Sequence, residues 1–355
     1  MLIEPDRFQA NNLTGAKFHP ELRRAAFFIP RFSLGPASTK LIRGLRKRRP
    51  LPEPPVLADI AIRDEYIQGP DGDSLRIRVF SPVSSDGPRP ALLWMHGGGF
   101  VIGHPEQDQA QSIEICRKLN MVVAAVNYRL GPDYPFPAPL EDSYAALTWL
   151  HAQAKELNID TARIAVGGAS AGGNLAAGLT LLAHDLGEPP IAFQLLIYSG
   201  LDDRTSLRTD IDERHFRLCD TRTSHFGWRT YLGSEPGGAD VPVYAAPARR
   251  QDLRGLPPAW IGVGTCDLFL EENVAYAMHL NEAGVPCTLE IVEGAFHAFD
   301  LVAPKTRVVG DFRESYLAAL GAHLWPEHSH DRKTETQHPA GEFARADREY
   351  ASLPM

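Results

Sequence analysis

The sequence predicts an α/β fold, a mostly parallel sheet covered by helices on both faces. Three observations carry that expectation. Short apolar runs alternate with amphipathic stretches over most of the 355 residues. A glycine-flanked corner, Gly168-Ala169-Ser170-Ala171-Gly172, joins one such run, Ile164-Ala165-Val166, to a small-residue helix beginning near Asn174. A second glycine cluster, Gly97-Gly98-Gly99, directly follows the run Leu92-Leu93-Trp94-Met95.

Taken in order, residues 1–50 contain helix-like patches such as Glu21–Phe28 and end in the basic run Arg43–Arg49, which reads as a solvated helix end leading into a stiff proline-rich link. Ile60–Ile67 and Leu75–Phe80 alternate as paired strands around the turn Gly69-Pro70-Asp71-Gly72 and supply an antiparallel edge. Then come strand Ala91–Met95, helix Gln109–Leu119, strand Val122–Val126, a long helix near Leu140–Leu157, and the strand and helix around Ser170. Strand Phe193–Tyr198 follows. After it, residues 203–240 interrupt the alternation before strand Ala259–Val263, helix Glu272–Ala283, strand Thr288–Val292 and helix Phe312–Leu324. Ligands of parallel sheets bind beyond the carboxyl ends of the strands. Residues 1–50 and 203–240 are therefore expected to form a cap over a core spanning 51–325. The polar residues 326–355 read as a poorly ordered tail.

Composition narrows the function. An apolar fraction of 44% fits a globular protein with a real core, and no apolar run is long enough for a membrane span. The formal charge of −8 gives no reason to expect nucleic acid. The first residues lack the basic and apolar regions of a secretory signal, and the four cysteines, Cys116, Cys219, Cys266 and Cys287, form no CxxC pair. A reducing cytoplasm is the expected compartment.

A serine hydroxyl is a poor nucleophile unless a base, an orienting acid and an oxyanion site accompany it. Where a strand turns sharply into a helix, the residues two positions from the corner must be small, and the helix begins with free N–H groups near the serine. In this strand-to-helix arrangement the order along the chain is serine, acid, histidine. His184, His279 and His323 fall on expected helices, and His215 and His225 lie in the insertion. His297 lies just past a strand, at the carboxyl edge of the sheet. For the acid, Asp267 follows strand Ala259–Val263; Glu271 is the main competitor, with Asp202 and Asp203 as weaker ones. Oxyanion donors are expected from the glycine loop 97–99 and from the residue after the serine. His96 reads as a packing residue of that loop.

These motifs, HGGGF at 96–100, NYRLGPDYPFPAPLED at 127–142, GGASAGGN at 167–174, LPPAWIGVGTCDLFLEEN at 256–273 and GAFHAFD at 294–300, resemble those of hormone-sensitive-lipase-like esterases with the α/β-hydrolase fold. The resemblance covers about residues 75–325. It implies Ser170 as nucleophile, Asp267 as acid, His297 as base, and the backbone N–H groups of Gly98, Gly99 and Ala171 as the oxyanion hole. It also implies a small-molecule ester substrate of short to medium acyl length and no metal or organic cofactor; relatives dimerise through a sheet edge, which makes a homodimer an option. Two positions depart from the family: Ala169 stands where Asp or Thr is common, and Leu268 where Pro is frequent. Phe100, Leu268, Phe269, Phe296 and Phe299 are candidates for an apolar pocket or for core bracing. An amidase, lactonase or formamidase would use the same triad. A binding protein of this fold is expected to have lost a triad member, and none is missing here.

Overall fold

The computed structural model describes residues 17–29, 33–48, 53–84 and 87–325; the proposed tail and part of the proline-rich link lie outside them. Its centre is an eight-stranded sheet. The strands are β1 (Ile60–Gln68), β2 (Ser74–Pro82), β3 (Arg89–Met95), β4 (Val122–Val126), β5 (Ile159–Ala169), β6 (Phe193–Ile197), β7 (Ala259–Cys266) and β8 (Cys287–Phe296). Their order is β1-β2-β4-β3-β5-β6-β7-β8. β1 and β2 form the expected antiparallel edge, β2 meets β4 antiparallel, and every later pairing is parallel.

Side chains on a strand alternate between its two faces. Leu93 and Met95 of β3 pack into one core with helices α4 (Ala138–Ala152), α5 (Ala171–Leu186) and α7 (Leu270–Glu282). Leu92 and Trp94 of the same strand pack into a second core with α3 (Gln109–Leu119) and α9 (Arg307–Leu324). Both faces are thus covered, so β3 and β4 are buried along their whole length.

Three elements run to bounds other than those expected. The helix expected near Leu140–Leu157 stops at Ala152, and Asn158, at φ 54°, turns the chain into β5. β5 then begins at Ile159, because the polar stretch Asp160–Arg163 occupies its more exposed end and hides its strand character in the sequence. β8 likewise continues to Phe296, past the expected end at Val292.

Two segments lie outside the sheet. One carries α1 (Arg23–Phe28) and α2 (Pro36–Lys47) ahead of β1; the other runs between β6 and β7 and carries α6 (Thr221–Leu232). They are tied together: the Ser33 hydroxyl donates to Asp220, Leu34 N–H donates to Thr223 Oγ1 at 3.0 Å, and Arg217 Nε donates to Ala26 O at 2.8 Å. The basic run at the end of α2 is not simply solvated. Arg43 donates to Gly131 O at 3.0 Å and to Asp133 at 2.6 Å, while Arg46 donates to Gly103 O at 2.8 Å.

Candidate active site

The strand register brings the candidate residues to one edge. Cys266 and Phe296 are cross-strand partners on β7 and β8, so the next residues, Asp267 and His297, leave adjacent strands side by side. Met95 pairs with Gly168, and Ala169 with Ile197, which aligns the glycine loop, Ser170 and the end of β6 along the same edge.

Ser170 occupies the turn between β5 and α5 at φ 56°, ψ −119°, a conformation that side-chain-bearing residues seldom adopt. Its N–H donates to Ile197 O at 2.9 Å, and its carbonyl accepts from Asn174 N–H at 3.1 Å. The turn is too tight for a side chain at either flanking glycine. A Cβ on Gly168 would lie 2.3 Å from the Gly172 backbone, and one on Gly172 would lie 2.0 Å from Met95 O. This is the steric demand behind the glycines on either side of Ser170.

The three polar groups form one chain of hydrogen bonds. Ser170 Oγ lies 2.9 Å from His297 Nε2, and His297 Nδ1 lies 2.9 Å from Asp267 Oδ2. An ionised carboxylate can only accept, so Nδ1 carries the proton and Nε2 is left to accept from the serine hydroxyl. Asp267 is held in turn by Phe269 N–H, which donates to Oδ1 at 3.0 Å. The imidazole is wedged edge-on between the rings of Tyr198, 4.8 Å away, and Phe269, 5.3 Å away. Tyr198 donates from its hydroxyl to the buried Asp300 at 2.8 Å, fixing one side of that wedge.

The competing acids have other partners. Glu271 is exposed and pairs with Arg208. Glu272 is buried, accepts from Leu201 N–H and Asp202 N–H, and is pushed well above the usual carboxyl range by burial. Asp203 pairs with Arg249 at 2.7 Å, and Asp202 with Arg204. His96 is a loop-packing residue: it stacks on Tyr128 at 4.2 Å, and burial pushes its pKa down to about 3.

The glycine loop is built for close backbone approach. Gly98 lies at φ +130°, and a Cβ there would sit 2.0 Å from Ile102 O. Gln107 Nε2 donates to Gly97 O at 3.2 Å, and Gly131 N–H donates to Phe100 O at 2.9 Å, holding the loop from both sides. Gly98, Gly99 and Ala171 all line a cavity of about 450 Å³ that also holds Ser170 and His297.

The chain matches the family model for the alpha/beta hydrolase fold over residues 92–301. It is 33% identical over 261 residues to the esterase LipI of Mycobacterium tuberculosis, covering 73% of this chain and 81% of that one. Carboxylesterase NlhH of Mycobacterium tuberculosis is 34% identical over 266 residues, 72% of this chain and 82% of its own. Among solved structures, a bacterial heroin esterase superposes with a TM-score of 0.78 at 38% identity, over 87% of this chain and 98% of that one. This chain belongs to the α/β-hydrolase fold family, in its hormone-sensitive-lipase-like esterase branch.

The five residues that the sequence leaves open between pocket lining and core bracing divide between the two. Phe100 and Phe269 line the cavity; Leu268, Phe296 and Phe299 do not. Phe296 is the last residue of β8 and is fully buried in the sheet core, edge-on to Phe18. Phe299 opens the short helix α8 (Phe299–Val302) and packs 5.0 Å from Phe312 of α9. Leu268 is buried behind the lining, in a small cluster with Cys219 and Phe269. The apolar wall comes largely from residues that carried no catalytic signature: Leu34 and Ile42 ahead of the sheet, and Leu218, Cys219 and Trp228 in the insertion. Of these, only Ile42 and Trp228 lie on helices, α2 and α6, and the cavity-lining role of none of the five is marked by a local pattern. Ala169 is buried and is one of the residues lining the cavity, so an apolar side chain stands there beside Ser170.

Proposed function

We propose that this carboxylesterase hydrolyses short- to medium-chain esters through an acyl-enzyme on Ser170. The observation that carries this reading is the continuous hydrogen-bonded line from Ser170 Oγ through His297 to buried Asp267, opening into an apolar cavity of about 450 Å³. His297 Nε2 takes the hydroxyl proton as Oγ attacks the ester carbonyl. Asp267 keeps the imidazole in the required tautomer and stabilises its charged form. The backbone N–H groups of Gly98, Gly99 and Ala171 serve as the oxyanion hole for the tetrahedral intermediate. His297 then protonates the leaving alcohol, and water, activated by the same imidazole, releases the acid. α2 and α6 act as the cap and set the acyl-length limit through Ile42 and Trp228.

Ser170→Ala is expected to remove p-nitrophenyl butyrate hydrolysis and fluorophosphonate labelling while leaving the circular dichroism spectrum and Tm near wild type. Near-wild-type turnover by that variant would overturn the assignment. A series of nitrophenyl esters should show activity falling beyond medium chain length.

A further inference from the structure

The two faces of α2 are differently employed. Its inner side carries Thr39, which is buried, Ile42, which lines the catalytic cavity, and Arg43 and Arg46, which grip the core. Its outer side is a stripe of exposed residues at 37, 40, 41, 44, 45 and 48, the i, i+3, i+4, i+7 spacing of one helical face. Leu41 and Leu45 stand on that stripe 63% and 53% exposed, between Lys40 and Arg48. The neighbouring α1 adds Phe27 and Phe28, 81% and 78% exposed, beside exposed Arg23 and Arg24.

The charge on this segment is of one sign. Residues 17–48 hold nine Lys and Arg against one acidic residue, on a chain whose net charge is −8. Elsewhere, four arginines are paired with a carboxylate two residues away: Arg204 with Asp202, Arg208 with Asp210, Arg214 with Asp212 and Arg254 with Asp252. Arg24, Lys40 and Arg48 make no ion pair among the described residues. Unpaired cations interleaved with exposed leucines and phenylalanines match a surface that is apolar below and anionic above, which is an anionic lipid interface. Nucleic acid would use the cations and leave the apolar side chains in water.

We infer that the outer face of α2, with Phe27 and Phe28 of α1, docks this esterase on anionic lipid surfaces, with the catalytic cavity directly behind the docking helix. The inference extends the esterase reading by naming where apolar ester substrates are met. Binding is read without turnover, so its failure would leave ester hydrolysis standing.

The test is sedimentation of the full chain with phosphatidylcholine vesicles, with and without phosphatidylglycerol. Wild type should bind the anionic vesicles roughly tenfold more tightly than neutral ones, and lose that margin in high salt. Leu41→Ser/Leu45→Ser and Lys40→Glu/Arg48→Glu should each weaken binding by about tenfold, with soluble p-nitrophenyl butyrate hydrolysis within about twofold of wild type. Absence of binding to anionic vesicles, or binding unchanged in both double variants, would overturn the inference. So would a wild-type dimer that both double variants dissociate, because the stripe would then be covered by a second copy.

Discussion

Two walls enclose the catalytic cavity, and they are built on different principles. The sheet-edge wall consists of single residues placed by strand register: Ser170, Asp267 and His297 each follow the last residue of a strand, and each has a fixed hydrogen-bond partner. The opposite wall is two helical segments, α2 and α6, joined to the core and to each other by side-chain hydrogen bonds. A change on the first wall meets rigid backbone and alters chemistry. A change on the second meets side chains that can repack, and on the proposed reading should alter which substrate enters and how firmly.

The sharpest way to break the comparison is Asp267→Asn. The amide would present a donor to His297 Nδ1, favour the tautomer with its proton on Nε2, and so remove the acceptor that Ser170 needs. A fall in kcat of roughly 10³–10⁴-fold is expected, with Tm little changed because the side-chain oxygen that accepts from Phe269 N–H is retained. Glu271→Gln, four residues on but exposed, should leave kcat within about twofold. Equal effects in a p-nitrophenyl butyrate assay would show that register does not set the chemistry.

The same distinction explains what the sequence made legible. Asp267 and His297 could be found because a strand end followed by a polar residue is a local signal. The mostly parallel sheet followed from the alternation of elements, and the antiparallel edge from the turn at 69–72; the strand order did not. Pocket membership could not be read in the same way. Phe296 and Phe299 flank His297 in sequence, yet side chains alternate along β8, so the residue before His297 points into the core, and the turn into α8 sends Phe299 toward Phe312. Leu34 and Ile42 line the cavity from more than a hundred residues away, through contacts that no local pattern encodes. The role of Arg43 and Arg46 escaped for a related reason: a basic run looks solvated until the carbonyls of Gly131 and Gly103 are brought beside it.

Rigidity behind the first wall has a pH signature. Asp108 is buried beneath β3, accepting from Trp94 Nε1 at 2.9 Å with its other oxygen unpartnered. Burial, reinforced by the nearby Asp300 carboxylate, pushes its pKa up from 3.8 to about 7. Below about pH 4 the group is neutral folded and unfolded, so it imposes no penalty. As pH rises toward 7, the folded protein keeps a proton that the unfolded chain has released, and stability falls; above 7 the penalty levels off. Its full size is on the order of 4 kcal/mol. Asp108→Asn carries no such proton, so its Tm should decline less than that of wild type between pH 5 and pH 8. Parallel Tm profiles would show that Asp108 is ionised throughout. Glu272, also buried and raised, is present in both proteins and cancels in the difference, whereas Asp300 is coupled to Asp108 and titrates with it.

The smallest expected effect belongs to the second wall. Arg46 donates to Gly103 O at 2.8 Å and lies 3.9 Å from Glu106, so it joins α2 to the loop that follows Gly97, Gly98 and Gly99. Removing it leaves no buried charge unpaired, because Glu106 keeps Arg76 at 2.6 Å and His104 at 2.9 Å. Gly103 O loses one donor, a cost of about 1 kcal/mol or less in global stability. The loop itself remains held through Gln107 and the Phe100 carbonyl. Arg46→Ala should therefore raise KM a few-fold for longer acyl chains, where Ile42 of the loosened helix meets substrate, and leave kcat for the acetyl ester within about twofold. A fall in kcat with KM unchanged would place Arg46 in the support of the oxyanion loop, and the division between the two walls would have to be redrawn there.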